Sequence, residues 1–171
     1  MNFATGEAEI FDEIAQQTVC VKADTVVGTD GSASAIRYDM MKIGRFNYSQ
    51  SYLEHGYKEL SIPAGGDGNF LIEKNALHIW PRKTYMLIAL PNMDGSFTCT
   101  LFFPMEGHVS FASLDTKEKV NRFFKEQFSD AVPLMPTLLE DFFDNPTSSL
   151  MTVKCFPWHA GNTASLLGDV S

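Results

Sequence analysis

The hydrophobic pattern is strongest in residues 76–104, which read ALHIWPRKTYMLIALPNMDGSFTCTLFFP. Residues 85–90 are continuously apolar, and residues 97–103 alternate apolar side chains with threonine. The Asn-Met-Asp-Gly connection between them is typical of a turn, so the two runs predict a β-hairpin. Residues 77–80 predict a third strand, which Pro81 ends.

The middle strand of this segment is apolar on both of its faces. Because side chains alternate along a strand, one face carries Met86, Ile88 and Leu90, and the other carries Tyr85, Leu87 and Ala89. A sheet that is apolar on both faces must be covered on both. We therefore expect helices on one face, and a ligand, another layer or another part of the protein on the other.

Two helices predicted further along the chain supply the first cover. Asp115 and Glu118 predict a capping box ahead of an aromatic stripe that recurs at i, i+3, i+4 and i+8. Pro136 can open a second helix, and Asn145 followed by Pro146 ends it. Such stripes belong to cores far more often than to ligand sites. The predicted fold class is α+β, with a mixed or antiparallel sheet and helices on one face.

Other segments predict additional strands. Residues 46–72 contribute several to the same sheet, including a hairpin that joins 60–62 to 70–72. Residues 150–156 and 163–167 predict two more strands, which the pattern does not assign to a particular sheet. The first residues, up to 17, are acidic and weakly patterned.

Two loops contain a Gly-Asp or Asp-Gly pair directly after a predicted strand. The first is Gly28-Thr-Asp30-Gly31, and the second is Gly168-Asp169. Strands that end in such turns place loops at the carboxyl edge of a sheet, where α/β folds bind ligands. Ser32 or Ser34 can cap the short helical turn that follows the first loop.

Composition and charge exclude several classes of protein. The 171 residues and 44% hydrophobic content suit one ordinary globular domain, and 13 basic against 21 acidic residues give a net charge of −8. With no run of lysine or arginine, the sequence predicts no nucleic-acid partner. It also lacks a signal peptide and an apolar window of about 18 residues, so we expect no membrane contact from this segment.

Candidate chemistry among the side chains is sparse. The three cysteines form no CxxC pair and are interpreted as reduced packing residues, with no metal site. No Ser/His/Asp or Cys/His constellation is present, so no catalytic residue is predicted. His55 and Glu59 could form an acid–base pair, although polar residues at a strand edge are the favoured interpretation.

The motifs resemble a known family. The loop GTDGSASAIR at 28–37 and the segment LLGD at 166–169 resemble the DG and GD motifs of class A FAD-dependent aromatic hydroxylases, which flank the substrate domain. The segments HGYKEL, NALHIWPR, YMLIALPN and SFTCTLF resemble the kynurenine 3-monooxygenase branch of that family. The resemblance implies three parts: a remnant of the FAD-binding domain in 1–37, a substrate-binding sheet domain in 38–150, and a return to the FAD-binding domain in 151–171.

The resemblance also implies an activity. Members of this branch use FAD, NADPH and O2 to hydroxylate L-kynurenine to 3-hydroxykynurenine, in tryptophan degradation and NAD biosynthesis. The flavin carries the chemistry, while the protein positions the aromatic ring and excludes water. Eukaryotic members resemble mitochondrial outer-membrane proteins and bacterial members are cytoplasmic, so the compartment of this chain stays unknown.

Site residues are carried over by the motifs. Those implied for the substrate ring are Leu77, Met86, Ile88, Leu90 and Phe102, and those implied for the cofactor are Asp30, Gly31, Gly168 and Asp169. Phe102 shares the face of Met86 only if the hairpin loop has three residues, 93–95, with Gly95 left-handed in a G1 bulge. A two-residue loop would place Phe102 opposite Leu87. The implied pocket therefore predicts the turn type.

The chain also departs from the family pattern. No GxGxxG unit precedes the first loop, and Val170-Ser171 stands where the family has Ala-Ala-His. We expect a central fragment that neither binds FAD tightly nor turns over alone. The alternative is a catalytically dead truncated homologue that binds an aromatic acid or a protein. A flavin hydroxylase acting on a phenol is disfavoured by ALHIWPR and IALPN.

Overall fold

The structure is a computed structural model that describes residues 1–168. The chain divides into two compact units, one formed by Met1–Ser51 with Met151–Ser171 and the other by Tyr52–Leu150. The assignment of 1–37 and 151–171 to an FAD-binding domain, and of 38–150 to a substrate domain, stays a prediction. Asp169 lies outside the described residues.

Ten strands and three α-helices are present in residues 1–168. The strands are β1 (Glu7–Asp12), β2 (Gln17–Lys22), β3 (Val26–Gly28), β4 (Asn47–Ile62), β5 (His78–Pro81), β6 (Met86–Pro91), β7 (Phe97–Pro104), β8 (Ser148–Phe156), β9 (His159–Ala160) and β10 (Ala164–Leu166). The helices are α1 (Ala35–Met40), α2 (Lys117–Gln127) and α3 (Leu138–Asp144). The strands form three sheets, in the orders β1-β2, β3-β10-β9 and β5-β6-β7-β4-β8. Together these elements confirm the predicted α+β class.

The N-terminal residues form a hairpin that the sequence analysis did not predict. β1 pairs antiparallel with β2, and Asp12 Oδ1 accepts hydrogen bonds from the amides of Ile14 and Ala15, both at 2.9 Å. This side chain closes the turn in place of a glycine. Cys99 is buried and Cys155 is half-buried, but Cys20 lies exposed on β2, so the interpretation as a packing residue was wrong for Cys20.

The hairpin predicted at 60–62 and 70–72 was also wrong. β4 ends at Ile62, Gly66–Gly68 form a 3-10 turn, and residues 70–72 belong to no strand. Phe70 and Ile72 instead pack against the core from an irregular loop, which the bond from Gly65 N to Asn69 O closes at 2.8 Å. The apolar character of Phe70 and Ile72 therefore reflects packing against the core, not strand pairing, whereas Leu71 is exposed.

The core of the second unit lies between one face of the sheet and the two helices α2 and α3. Fully buried members come from both layers: Leu87, Ala89, Leu101, Phe103, Phe124 and Phe128. Edge-to-face pairs such as Phe123 with Phe124, at 5.5 Å between ring centroids, fill the interior. The prediction of aromatic helices on one face of the sheet is confirmed.

The start of each helix differs slightly from its prediction. The N-cap of α2 is Thr116, whose hydroxyl accepts from the amide of Lys119 at 3.3 Å, so the capping box assigned to Asp115 was wrong by one residue. Asp115 pairs instead with Lys119 Nζ at 2.7 Å. Pro136 precedes α3 without entering it, since Thr137 is the N-cap residue. Thr116 is the N-cap residue because it directly precedes the helix, where its hydroxyl reaches an amide of the first turn that has no partner within the helix.

Helix α3 covers part of the backbone of β4. The Asp141 carboxylate accepts from Ser61 N at 3.0 Å, and Asn145 Nδ2 donates to Glu59 O at 2.8 Å. These side chains satisfy strand groups that would otherwise be available for pairing with another strand. Within residues 1–168, no helix is long and apolar enough to span a membrane.

Candidate functional site

The β6–β7 hairpin has the turn that the implied pocket requires. Asn92 N donates to Ser96 O at 2.8 Å, and Gly95 N donates to Asn92 O at 3.3 Å. Gly95 has φ +89°, so the loop consists of residues 93–95 with a left-handed glycine. The register places Met86 opposite Phe102. The predicted three-residue loop and the shared face of these two side chains are both confirmed.

Four of the five residues predicted for the substrate ring, Met86, Ile88, Leu90 and Phe102, lie on the face of the sheet that turns away from α2 and α3, and Leu77 directly precedes β5. Leu77 is 50% exposed, Met86 37% and Leu90 48%, while Ile88 and Phe102 are half-buried. On the opposite face, Leu87 and Ala89 are fully buried. We call this outward face, with its apolar side chains from β5, β6 and β7, the apolar wall. The expected helix layer therefore covers one face, and the side chains of the other face are exposed or half-buried.

Two residues extend the apolar wall beyond the prediction. Ile79 lies opposite Ile88 on β5, and Tyr57 lies opposite Phe102 on β4. The rings of Tyr57 and Phe102 are 6.3 Å apart between centroids and tilted by 44°. Strand alternation from Leu77 to Ile79 could have identified the first. Tyr57 required the pairing of β4 with β7, which no local pattern reveals.

His55 and Glu59 do not form the acid–base pair that was considered. His55 Nε2 lies 2.7 Å from Thr84 O. Because a carbonyl oxygen can only accept, Nε2 carries the proton and donates it. Among residues 1–168, no hydrogen bond or ion pair joins His55 to Glu59. The favoured interpretation as polar strand residues agrees with these contacts.

A separate cavity in the first unit brings three predicted cofactor residues together. It has a volume of about 590 Å³, and its lining includes Asp30, Gly31 and Gly168. β10 runs parallel to β3 with Leu166 opposite Gly28, so the two loops leave the same edge of this small sheet. The size falls within the range of about 300–1,000 Å³ that is usual for ligand pockets.

Asp30 holds the loop and the start of α1. Its Oδ2 accepts from the amide of Ala35 at 2.7 Å and from that of Ile36 at 3.4 Å. Burial raises the pKa of the Asp30 carboxyl, but hydrogen bonds from the Ser34 side chain and from these amides together lower it by more than burial raises it. The pKa of Asp30 therefore lies below its ordinary value. Ser34, not Ser32, caps α1, because its hydroxyl accepts from Arg37 N at 3.0 Å.

Arg37 pins the same loop from inside the unit, a role that the sequence analysis did not identify. The side chain is buried, and its guanidinium donates to Gly31 O at 3.0 Å and also to Ser32 O. Its Cζ lies 5.3 Å from the centroid of the Tyr48 ring. The Asp-Gly loop is thus held in shape by contacts within the chain.

The lining of this cavity fits a flavin nucleotide. Asp30 offers carboxylate oxygen to hydroxyl groups, and a Cβ built on Gly31 would meet nothing within 4 Å, so a ligand can approach the backbone there. Met151, Val153 and Trp158 supply apolar surface for a flat ring system. No three His, Cys, Asp or Glu side chains group into a metal site anywhere in residues 1–168.

Comparison with curated proteins identifies the relatives of this chain. It is 60% identical to kynurenine 3-monooxygenase of Dictyostelium discoideum over 151 residues, which cover 88% of this chain and 33% of that protein. These proteins confirm the predicted resemblance. A second relative, kynurenine 3-monooxygenase of Myxococcus xanthus, is 54% identical over 171 residues, or 100% of this chain and 37% of its own length. The chain thus spans about a third of the length of the curated relatives it matches. No family model matches it.

Solved structures share the fold at low sequence identity. A tetrameric 2-methyl-3-hydroxypyridine-5-carboxylic acid oxygenase matches 91% of this chain and 39% of its own, with a TM-score of 0.58 and 18% identity. A protein from Pseudomonas aeruginosa, described as a probable FAD-dependent monooxygenase, matches 95% and 44%, with a TM-score of 0.61 and 16% identity. The architecture is therefore one that flavoprotein monooxygenases use. The roles of individual site residues stay predictions.

Proposed function

We propose that this chain is the central part of a monooxygenase that uses FAD and NADPH to hydroxylate L-kynurenine to 3-hydroxykynurenine. The observation that carries the proposal is the apolar wall, on which the motif residues Met86, Ile88, Leu90 and Phe102 share one open face. It is supported by the 60% identity of the chain to a kynurenine 3-monooxygenase. An open apolar face opposite a packed core marks a surface that functions by being covered.

The wall would act as the floor beneath the substrate ring. Met86, Ile88 and Phe102 form adjacent apolar positions across two strands. Covering one aromatic ring on such a surface contributes about 2 kcal/mol by removal of apolar area from water. The same contact keeps water away from the carbon atom that reacts. Positioning and exclusion of water are thus the tasks of this unit.

The cavity in the first unit would contribute to the FAD site. When bound, FAD accepts reducing equivalents from NADPH and uses O2 to oxygenate the substrate. Asp30 would accept hydrogen bonds from hydroxyl groups of the cofactor. Gly31 and Gly168 have no side chain, so the cofactor could approach the protein backbone closely at these two positions. Arg37 and Ser34 would keep the loop in the conformation that these contacts need. The same role is proposed for Asp169.

The proposal is testable in a host enzyme. The segment of the Dictyostelium discoideum relative that matches 151 residues of this chain is replaced by those residues. We expect this host to consume NADPH in the presence of L-kynurenine and to release 3-hydroxykynurenine, measured by absorbance and mass spectrometry. A host that folds and binds FAD but forms no product would contradict the proposal and favour the noncatalytic binding module.

A matched pair of variants tests the wall itself. Met86→Ala removes a wall side chain, whereas Met93→Ala makes the same change at the fully exposed tip of the hairpin. We expect Met86→Ala to raise KM for L-kynurenine about tenfold, since it removes about 1.4 kcal/mol of contact. Met93→Ala should leave KM unchanged. Equal effects of the two variants, or faster turnover of a simple phenol than of kynurenine, would argue against this substrate.

A further inference from the structure

We infer that Glu59 binds the protonated amino group of an amino-acid substrate that lies on the apolar wall. The inference rests on the proposed function and adds to that function which end of the substrate points toward β4. Nothing in the motif resemblance assigns a role to this residue.

Alternation along β4 turns Glu59 toward the wall. Its neighbours Lys58 and Leu60 are 6% and 2% exposed and point into the core. Glu59 must therefore point to the opposite face, where its side chain is exposed. Pairing of β4 with β7 places Glu59 opposite Thr100, and pairing of β7 with β6 places Thr100 opposite Ile88.

The charge of Glu59 has no partner in the described part of the chain. None of the ion pairs in residues 1–168 involves it. On this face Tyr57 and Ser61 flank it along β4 and Thr100 lies opposite it on β7, so these neighbours bring no positive charge. Within the described residues, the only charged group bound to them is the Asp141 carboxylate, which accepts a hydrogen bond from the Ser61 hydroxyl at 2.6 Å and is itself negative. A lone carboxylate beside an apolar surface favours a ligand that combines an aromatic ring with a cationic group.

Strand spacing matches the length of such a ligand. Two strand intervals separate Glu59 from Ile88, which is about 10 Å. In an extended kynurenine, three carbon atoms link the ring to the amino group, so the ring centre and the nitrogen lie roughly 6–7 Å apart. A charge-assisted hydrogen bond adds about 2.8 Å. A ring above Ile88 and Phe102 therefore brings the ammonium group to the carboxylate of Glu59.

The test uses the host enzyme described above, with Glu59→Gln as the variant and isothermal titration without NADPH as the measurement. The two probes are L-kynurenine and its desamino analogue, 4-(2-aminophenyl)-4-oxobutanoate. We expect Glu59→Gln to weaken binding of L-kynurenine about 10- to 100-fold, because a hydrogen bond to a charged group is lost. Binding of the analogue should change less than twofold.

Glu106→Gln is the matched control, because it removes the same charge from an exposed loop residue of the same unit. It should leave both dissociation constants unchanged, which separates a local contact from a general charge effect. If Glu59→Gln weakens both probes equally, or weakens neither, the inference fails while the proposed function stands. If the unsubstituted host binds neither probe and forms no product, both fail together.

Discussion

Substitution of Gly95 by alanine tests whether the wall depends on the bulged hairpin. Gly95 has φ +89°, a conformation that L-residues adopt at a cost of about 1–2 kcal/mol. A Cβ at this position would also lie 2.3 Å from Gly68 O and 3.3 Å from the Ala64 side chain. Since the obstacle is backbone, relief requires a shift of the loop, which adds about 1–3 kcal/mol of overpacking. We expect Gly95→Ala to lower the free energy of unfolding by about 2–5 kcal/mol.

Gly68→Ala provides the matched control for this experiment. Gly68 has φ +73°, yet a Cβ there would meet only Asp94 O at 3.9 Å, an ordinary van der Waals contact. This variant therefore carries the conformational cost without the collision. The two variants should differ by about 1–3 kcal/mol, the part that comes from overpacking alone.

Urea unfolding, followed by tryptophan fluorescence, measures the difference. The chain has two tryptophans, so a Trp158→Phe background leaves Trp80 as the only reporter. Trp80 lies in the same unit as Gly95, and its Nε1 donates to Asp130 Oδ2 at 2.7 Å. Unfolding free energies for Gly95→Ala and Gly68→Ala that agree within about 0.5 kcal/mol would refute the collision and the loop geometry behind it.

Three further predictions concern buried or half-buried groups. Burial raises the pKa of the Cys99 thiol to about 12, so iodoacetamide at pH 8 should alkylate exposed Cys20 and spare Cys99 until urea is added, as peptide mass spectrometry would show. Burial lowers the pKa of Lys58 below its usual 10.5, so at pH values just below 10.5 the unfolded state binds more protons than the folded state. In this pH range the free energy of unfolding of the chain, relative to that of Lys58→Met, should therefore rise with pH, as urea titrations would show. Asp141→Ala should cost about 1.5–3 kcal/mol of unfolding free energy, because β4 loses a charged acceptor, whereas Asp144→Ala at an exposed site should cost little.

Each of these predictions has an outcome that would count against it. Equal alkylation rates for Cys20 and Cys99 in buffer would mean that β7 is not buried as described. If the difference in unfolding free energy between the chain and Lys58→Met does not depend on pH, the pKa of Lys58 is not lowered by burial. Similar losses for Asp141→Ala and Asp144→Ala would show that α3 does not satisfy the backbone of β4.

Local pattern was sufficient for the strands that carry the wall. The length of the loop was predicted from the pocket that the family resemblance implies, which requires Phe102 on the face of Met86. The turn chemistry of Asn92 to Gly95, combined with alternation on either side, predicted the two strands and their faces. These features depend on neighbours within about ten residues, which is why they can be read from one sequence. The aromatic spacing of α2 was equally local, and its core face was predicted correctly.

Features with a weak local pattern, or with partners distant in the sequence, were not predicted. The β1–β2 hairpin is exposed and lacks an apolar alternation, so its pairing leaves little trace in residues 7–22. Phe70 and Ile72 have strand-like composition, but their contacts to the core came from an irregular loop. Tyr57 and Glu59 joined the wall only through the register of β4 on β7. For Phe70, Ile72, Tyr57 and Glu59, tertiary contacts overrode or supplemented the local signal.

The apolar wall and the core share one constraint, which the hairpin loop sets. With three loop residues, Phe102 joins Met86 on the wall, and Leu101 joins Leu87 in the core. A loop shorter by one residue would exchange these faces, moving Phe102 into the core and Leu101 onto the wall. The core would then have to accommodate Phe102 where Leu101 is now fully buried. The packing against α2 therefore enforces the surface that we propose binds the substrate, so mutations that relax the loop should impair stability and substrate affinity together.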